Sequence, residues 1–166
     1  MKTITRTKIG LPMAGMILIA ALALPAAAQT QVRFKGTFQG NDTVTAPPPT
    51  ISTTATGIGS LVGQLSFTDV VTLTSASSGT GTGHWVAANG DSLDSTFVAS
   101  ADMSTASLGY ITVREIHNIT GGTGRFTGAQ GSFTVDRIHI EAANSDGTHL
   151  TFGSFRGSIT SPATAN

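Results

Sequence analysis

The feature that most constrains this chain is a two-residue alternation of apolar and polar side chains, cut at short intervals by Gly, Asn and Pro. Beyond the N-terminal segment, no window carries apolar residues at i, i+3, i+4 and i+7 over three turns. Residues 29–166 contain 24 Thr, 16 Ser and 18 Gly. The branched Cβ of Thr suits a pleated surface, and Gly and Ser supply tight turns. The expectation is an all-β protein.

The N-terminus reads differently. Lys2, Arg6 and Lys8 precede an uncharged run from Leu11 to Leu24, then Pro25 and the small residues Ala26, Ala27 and Ala28. This is the pattern of a secretory signal peptide cleaved near Ala28. A helix needs roughly 20 apolar residues to cross a bilayer, so a retained anchor is the weaker reading. The expected organisation is a signal segment over 1–28, one β domain over 29–159 and a polar tail over 160–166. The protein is then exported, to the periplasm or the medium. The mature chain keeps six basic against nine acidic residues. That balance offers no basic surplus for nucleic acid. No cysteine is present, which excludes a disulfide framework, a thiol nucleophile and a Cys zinc site.

Eight strands are predicted. Val32, Phe34 and Phe38 mark the first, followed by a Thr-rich connection over 41–56 that contains Pro47, Pro48 and Pro49. Leu61, Leu65 and Phe67 mark the second, and Val70 to Thr74 the third. Ser75 to Gly83 reads as a flexible loop before a fourth strand, His84 to Ala88. Asn89 and Gly90 predict a type I′ hairpin turn, in which both central residues take positive φ. Leu93, Phe97, Ala99 and Ala101 give the fifth strand, and Met103–Ser107 a turn. Leu108 to Ile119, Ser132 to Ala142 and His149 to Ile159 give the last three.

Eight short strands on mostly hairpin-length links suit an antiparallel barrel or a sandwich. A barrel leaves no open edge to protect, and is the fold expected here. Its interior is just wide enough to be filled by side chains or to hold one small ligand. An outer-membrane barrel would carry two aromatic girdles. With one Trp and one Tyr, the chain is not expected to be membrane-embedded.

The run Ile119-Thr120-Gly121-Gly122-Thr123-Gly124-Arg125-Phe126-Thr127-Gly128-Ala129-Gln130-Gly131-Ser132-Phe133 resembles a signature of the allene oxide cyclase-like barrels, the fold shared with plant dirigent proteins. An Ala-Ala-Asn-Gly-Asp-x-Leu turn, Ala87 to Leu93, precedes it as in small exported bacterial members. The resemblance implies the barrel. It also implies that activity, where there is any, is isomerisation, cyclisation or steering of a reactive substrate in the lumen. No catalytic motif of the family matches. Read physically, Gly121, Gly122, Gly124, Gly128 and Gly131 are structural turn residues, with Asn89 and Gly90, and Phe126 plugs one barrel end. A phosphate loop is excluded, since no Gly-Lys-Ser/Thr follows and the next element is a strand.

Alternation places Glu115 and His117 on one face of the sixth strand, with Ile111, Val113 and Ile119. Arg137, His139 and Glu141 share one face of the seventh with Phe133 and Val135. Two readings compete. These groups are either exposed cross-strand ion pairs of little energetic weight or the wall of a pocket that binds ligand and moves protons. Imidazole and carboxylate together also suit a metal, although no metal site and no cofactor are expected. Apolar residues on both faces of these strands fit either a homo-oligomer or a bulge near Asp136. Trp85 reads as a core or barrel-mouth plug, or as a pocket platform.

The sequence therefore predicts an exported barrel that binds a small apolar ligand or presents an interaction surface, the alternative being a lumenal isomerase or cyclase. Inward-facing Glu115 and His117 beside Arg137 and His139 favour chemistry. A lumen sealed by Phe34, Phe97, Phe133 and Phe155 would disfavour any ligand.

Overall fold

The alternation resolves into eight antiparallel strands, each paired with its sequence neighbour, with the last returning to the first to close a barrel. The computed structural model describes residues 30–45 and 49–160. The strands are β1 (Gln31–Thr45), β2 (Thr50–Gly59), β3 (Gly63–Ser75), β4 (Ser78–Ala87), β5 (Ser92–Asp102), β6 (Tyr110–Gly122), β7 (Gly131–Ala143) and β8 (His149–Thr160). The predicted signal segment, Pro47, Pro48 and the tail after Thr160 lie outside the described residues. No helix among the described residues is long and apolar enough to cross a membrane.

The strand count agrees with the sequence reading, but two errors in that reading cancel. Leu65, Phe67 and Val70 to Thr74 belong to one strand, β3, interrupted in sequence only by the inward-facing Asp69. Leu61 lies in the β2–β3 turn at φ 69. The supposed 41–56 connection instead holds the end of β1 and most of β2, paired from Asn41↔Thr54 to Thr45↔Thr50. In β3 the buried Asp69 breaks the apolar series, and over 41–56 the Thr-rich run with Pro47, Pro48 and Pro49 reads as a connection although its flanks pair as strands.

The predicted loop over 75–83 is also mostly strand. In β4, Gly79, Gly81 and Gly83 point inward and Thr80 and Thr82 outward, a true period-2 pattern in which hydrogen stands for the inner side chain. The glycines are there for close approach. A Cβ at Gly81 would collide with the ring of Phe97, and one at Gly79 with Val71.

Two turn assignments change in type. Gly121 and Gly122 are still in β6, paired with Asp94 and Leu93 beyond an extra β6 residue at Thr120, so the chain leaves the sheet only at Thr123. Gly124, Gly128 and Gly131 do take the positive φ expected of turn glycines. At Asn89-Gly90, only Gly90 has positive φ. Gly90 N–H donates to the Ala87 carbonyl at 2.9 Å and Ala87 N–H to the Asp91 carbonyl at 2.9 Å. That is a three-residue loop with a left-handed Gly, not a type I′ turn. No bulge occurs near Asp136, since β6 and β7 stay in register from Tyr110↔Ile140 to Asn118↔Ser132.

Hairpins alternate between the two ends of the barrel, and the ends differ. At one end, the β2–β3, β4–β5 and β6–β7 connections cover a continuous apolar core of Phe34, Phe67, Trp85, Phe133, Phe155 and their neighbours. Phe67 stacks on Trp85 at 4.1 Å between centroids, and Phe34 meets Phe133 edge-on at 5.0 Å. Such pairs contribute about 0.5–1.5 kcal/mol each beyond burial. Phe126, from a short 3-10 turn over Gly124–Phe126, plugs this end as expected. The other end, rimmed by the β1–β2, β3–β4, β5–β6 and β7–β8 connections, carries the polar interior.

Candidate functional site

The registers of β6 and β7 decide the face. Val113 stands opposite Arg137, Glu115 opposite Val135 and His117 opposite Phe133. Since Phe133 and Val135 are core residues, Glu115, His117 and Arg137 must point inward with them, and all three are buried. The exposed ion-pair reading therefore fails for these residues. It holds for the opposite face, where Arg114 and Arg156 bind Asp136 at 2.7 and 3.0 Å.

Arg137 is the hub of the interior. Its Nη2 donates to Glu115 and stands 3.9 Å from the Asp69 carboxylate. Its Nη1 donates to Thr53 Oγ1 at 2.6 Å and to Asp42 Oδ1 at 3.4 Å. Thr53 in turn donates to Asp42 Oδ1 at 2.6 Å. Asp42 and Asp69 are the functional candidates that sequence reading missed. The signal was present, since Asp42 continues the inward series Phe34, Gly36, Phe38, Gly40, and Asp69 sits between Phe67 and Val71.

Charge in this interior is set by competition between burial and partners. Burial acts to raise the Asp42 carboxyl, but the His139 hydrogen bond, the Arg137 charge and Thr53 outweigh it and hold it below its ordinary value. Glu115 follows the same logic, with burial overcome by Arg137 and His117. Burial also works against the charge on Arg137, yet Glu115, Asp42 and Asp69 together raise it. Asp69 is different. Burial first, then the neighbouring Glu115 charge, push it well above the carboxylate range, and neither of its oxygens has a hydrogen-bond partner among the described residues. Asp69 is thus the carboxyl whose pKa moves opposite to those of Asp42 and Glu115. Burial depresses His117, so its imidazole is neutral, with Nε2 3.3 Å from Glu115 and Nδ1 2.9 Å from the Ser95 hydroxyl.

Above this network the lumen opens into a cavity of about 410 Å³. Its walls are apolar, with Ile51, Val71, Leu73, Ala99, Ile111 and Val113 among them. Its polar side is built from Asp42, Glu115, Arg137, His139, Glu141 and His149. His139 Nδ1 lies 2.6 Å from Asp42 Oδ2, and its ring stacks on His149 with centroids 4.9 Å apart. Glu141 stands at the mouth, 42% exposed, with Oε1 3.9 Å from His139 Nε2.

Of the residues predicted to form one pocket, Glu115, Arg137, His139 and Glu141 meet at the cavity. Trp85 and His117 lie behind its floor, in the core. Trp85 is 1% exposed and meets His117 edge-on at 5.9 Å. Phe34, Phe97, Phe133 and Phe155, the four rings expected to seal the lumen, are likewise buried below the cavity. They close one half and leave the other open. The alternation placed these side chains on one face correctly, but period alone cannot say how far along the strand the core ends.

Asp69, Glu115 and His117 bring three metal-ligand atoms within 4.8 Å of one another. The Arg137 guanidinium already stands against two of the three, so a divalent ion would have to displace a charge that Glu115 binds directly. The donor set suits a proton better than a metal. No protein-family model matches the chain, and no curated protein matches it.

Proposed function

We propose that this protein is exported and binds one small, largely apolar molecule in the open half of its barrel. The observation that carries the reading is the division of the lumen. Aromatic rings fill one half, while the other keeps a cavity of about 410 Å³ with apolar walls and a fixed polar floor. Ligand pockets are of this size and composition, with a few polar groups that orient the guest. Export is supported by the Lys2 to Ala28 segment, which has the basic start, apolar run and small-residue end of a secretory signal. The closed eight-stranded barrel supports the resemblance to allene oxide cyclase-like proteins. A second reading, steering of an isomerisation or cyclisation, is favoured by the ionisable groups on the cavity floor.

The test is titration with N-phenyl-1-naphthylamine, a neutral apolar dye that brightens out of water. Saturable one-site enhancement is expected, weakened at least tenfold in Val113→Trp, which fills the cavity. Native mass spectrometry of protein from its own host should show a retained small molecule. No saturable dye binding, together with ligand-free native protein, would sink the proposal.

A further inference from the structure

We infer that His139, held by Asp42, is a general base that takes a proton from the molecule seated in the cavity. The inference rests on the cavity being a ligand site. It adds a reaction type and an acting atom.

The argument begins with Asp42. It is buried, accepts from Thr53 and faces Arg137, so it is kept as a carboxylate. An ionised carboxylate can only accept hydrogen bonds. The 2.6 Å contact to His139 Nδ1 therefore places a hydrogen on Nδ1. In the neutral imidazole the lone pair is then on Nε2. Among the described residues Nε2 has no hydrogen-bond partner. Glu141 Oε1 stands 3.9 Å from it. The base is free, and it belongs to a residue that lines the cavity.

The charged and titratable groups around the imidazole come from four strands. Asp42 on β1, Glu115 on β6 and Glu141 on β7 are the acidic groups on this side, against one cation, Arg137. His149 on β8 stacks on the imidazole face. The Nδ1–H bond to Asp42 is kept as a proton arrives on Nε2. Thr53 and Arg137 hold Asp42 in place, so little reorganisation is needed. The matching guest is a small apolar molecule with an acidic C–H or O–H. His139 Nε2 takes that proton, the electron pair stays on the guest, and the imidazolium returns the proton to another guest atom or to water. Proton transfer by a positioned side chain is typically worth about 10²–10⁴-fold in rate.

The probe for the test is 5-nitrobenzisoxazole. A base removes its C3 proton, the C–H pair becomes part of the nitrile, the N–O bond breaks and the oxygen leaves as a coloured phenolate. The proton passes from His139 to water. The purified full-length protein should turn the probe over with saturation. His139→Gln, which can still donate to Asp42, should lose at least tenfold in kcat with KM within about twofold. Asp42→Asn, as a change to a positioning residue, should lower kcat more than it raises KM. Circular dichroism of each variant checks that it is folded.

Binding of the probe, seen as displacement of N-phenyl-1-naphthylamine, without turnover would overturn the base and leave the ligand site standing. Turnover unchanged in His139→Gln would also overturn it. Failure of both dye and probe to bind would overturn base and ligand site together.

Discussion

Along β1 the inward residues run from Phe34 and Phe38 to Asp42, and along β7 from Phe133 and Val135 to Arg137 and His139. One backbone geometry thus serves two interiors. In the closed half, rings interlock and every added contact contributes. In the open half, three carboxyl groups and one guanidinium are buried together, and the charges on Asp42, Glu115 and Arg137 are tolerable only because of one another. The difference is one of cooperativity. Removing a ring from the first leaves a hole, whereas removing Arg137 from the second leaves charges with no partner.

The largest effect expected is therefore from Arg137→Met, which strands Glu115 and Asp42 in the interior. Breaking a buried ion pair typically costs roughly 3–5 kcal/mol, and here one cation serves several acids, so the unfolding free energy from denaturant melts should fall by at least that, with a lower midpoint. A midpoint close to wild type would mean that the carboxyls are neutral and that the contrast between the halves is false.

Trp85→Ala comes next, at roughly 3–5 kcal/mol for a large core ring. If the two halves are separate, dye affinity in this variant should stay within about twofold of wild type while its melting temperature drops. Parallel loss of both would show that the cavity depends on the aromatic core for its shape.

Asp69→Asn sharpens the comparison through pH. A carboxyl whose pKa is raised on folding stabilises the fold below its ordinary 3.8, and that contribution is lost as pH climbs through the folded value. The Asn variant should match wild type near pH 4 and be the more stable near pH 8, by on the order of 1 kcal/mol. His117 works in the opposite sense. Its depressed pKa gives stability that is present above its ordinary 6.5 and is lost as pH falls from there. Asp42 and Glu115 add to this loss below their ordinary values of 3.8 and 4.5. Thermal melts from pH 4 to 8 of the Asn variant should show the acid limb alone. A difference that grows toward acid would contradict a protonated Asp69.

The smallest effect belongs to the outer surface. Arg156→Ala removes a pair that is 66% exposed on the arginine side, and Arg114 still holds Asp136. Exposed pairs are worth about 0–1 kcal/mol, and the midpoint should scarcely move.

Much of this was legible in the chain itself. Alternation identified an all-β fold, and it put Glu115 and His117 on the face of Ile111, and Arg137 and His139 on that of Phe133. It could do so because strand period is local, fixed by backbone pleat at every residue. The Gly124, Gly128 and Gly131 turns were readable for the same reason, since positive φ is a property of one residue. The partners were not. Asp42 and His139 lie 97 positions apart and Arg137 and Thr53 84 apart, and only barrel closure of β8 onto β1 brings β1 and β7 together around one interior. Whether a strand's polar end is core or solvent depends likewise on how far the opposing rings reach, which is a matter of packing across the lumen. Local chemistry chose the strands, and the closed sheet chose which charges had to live together.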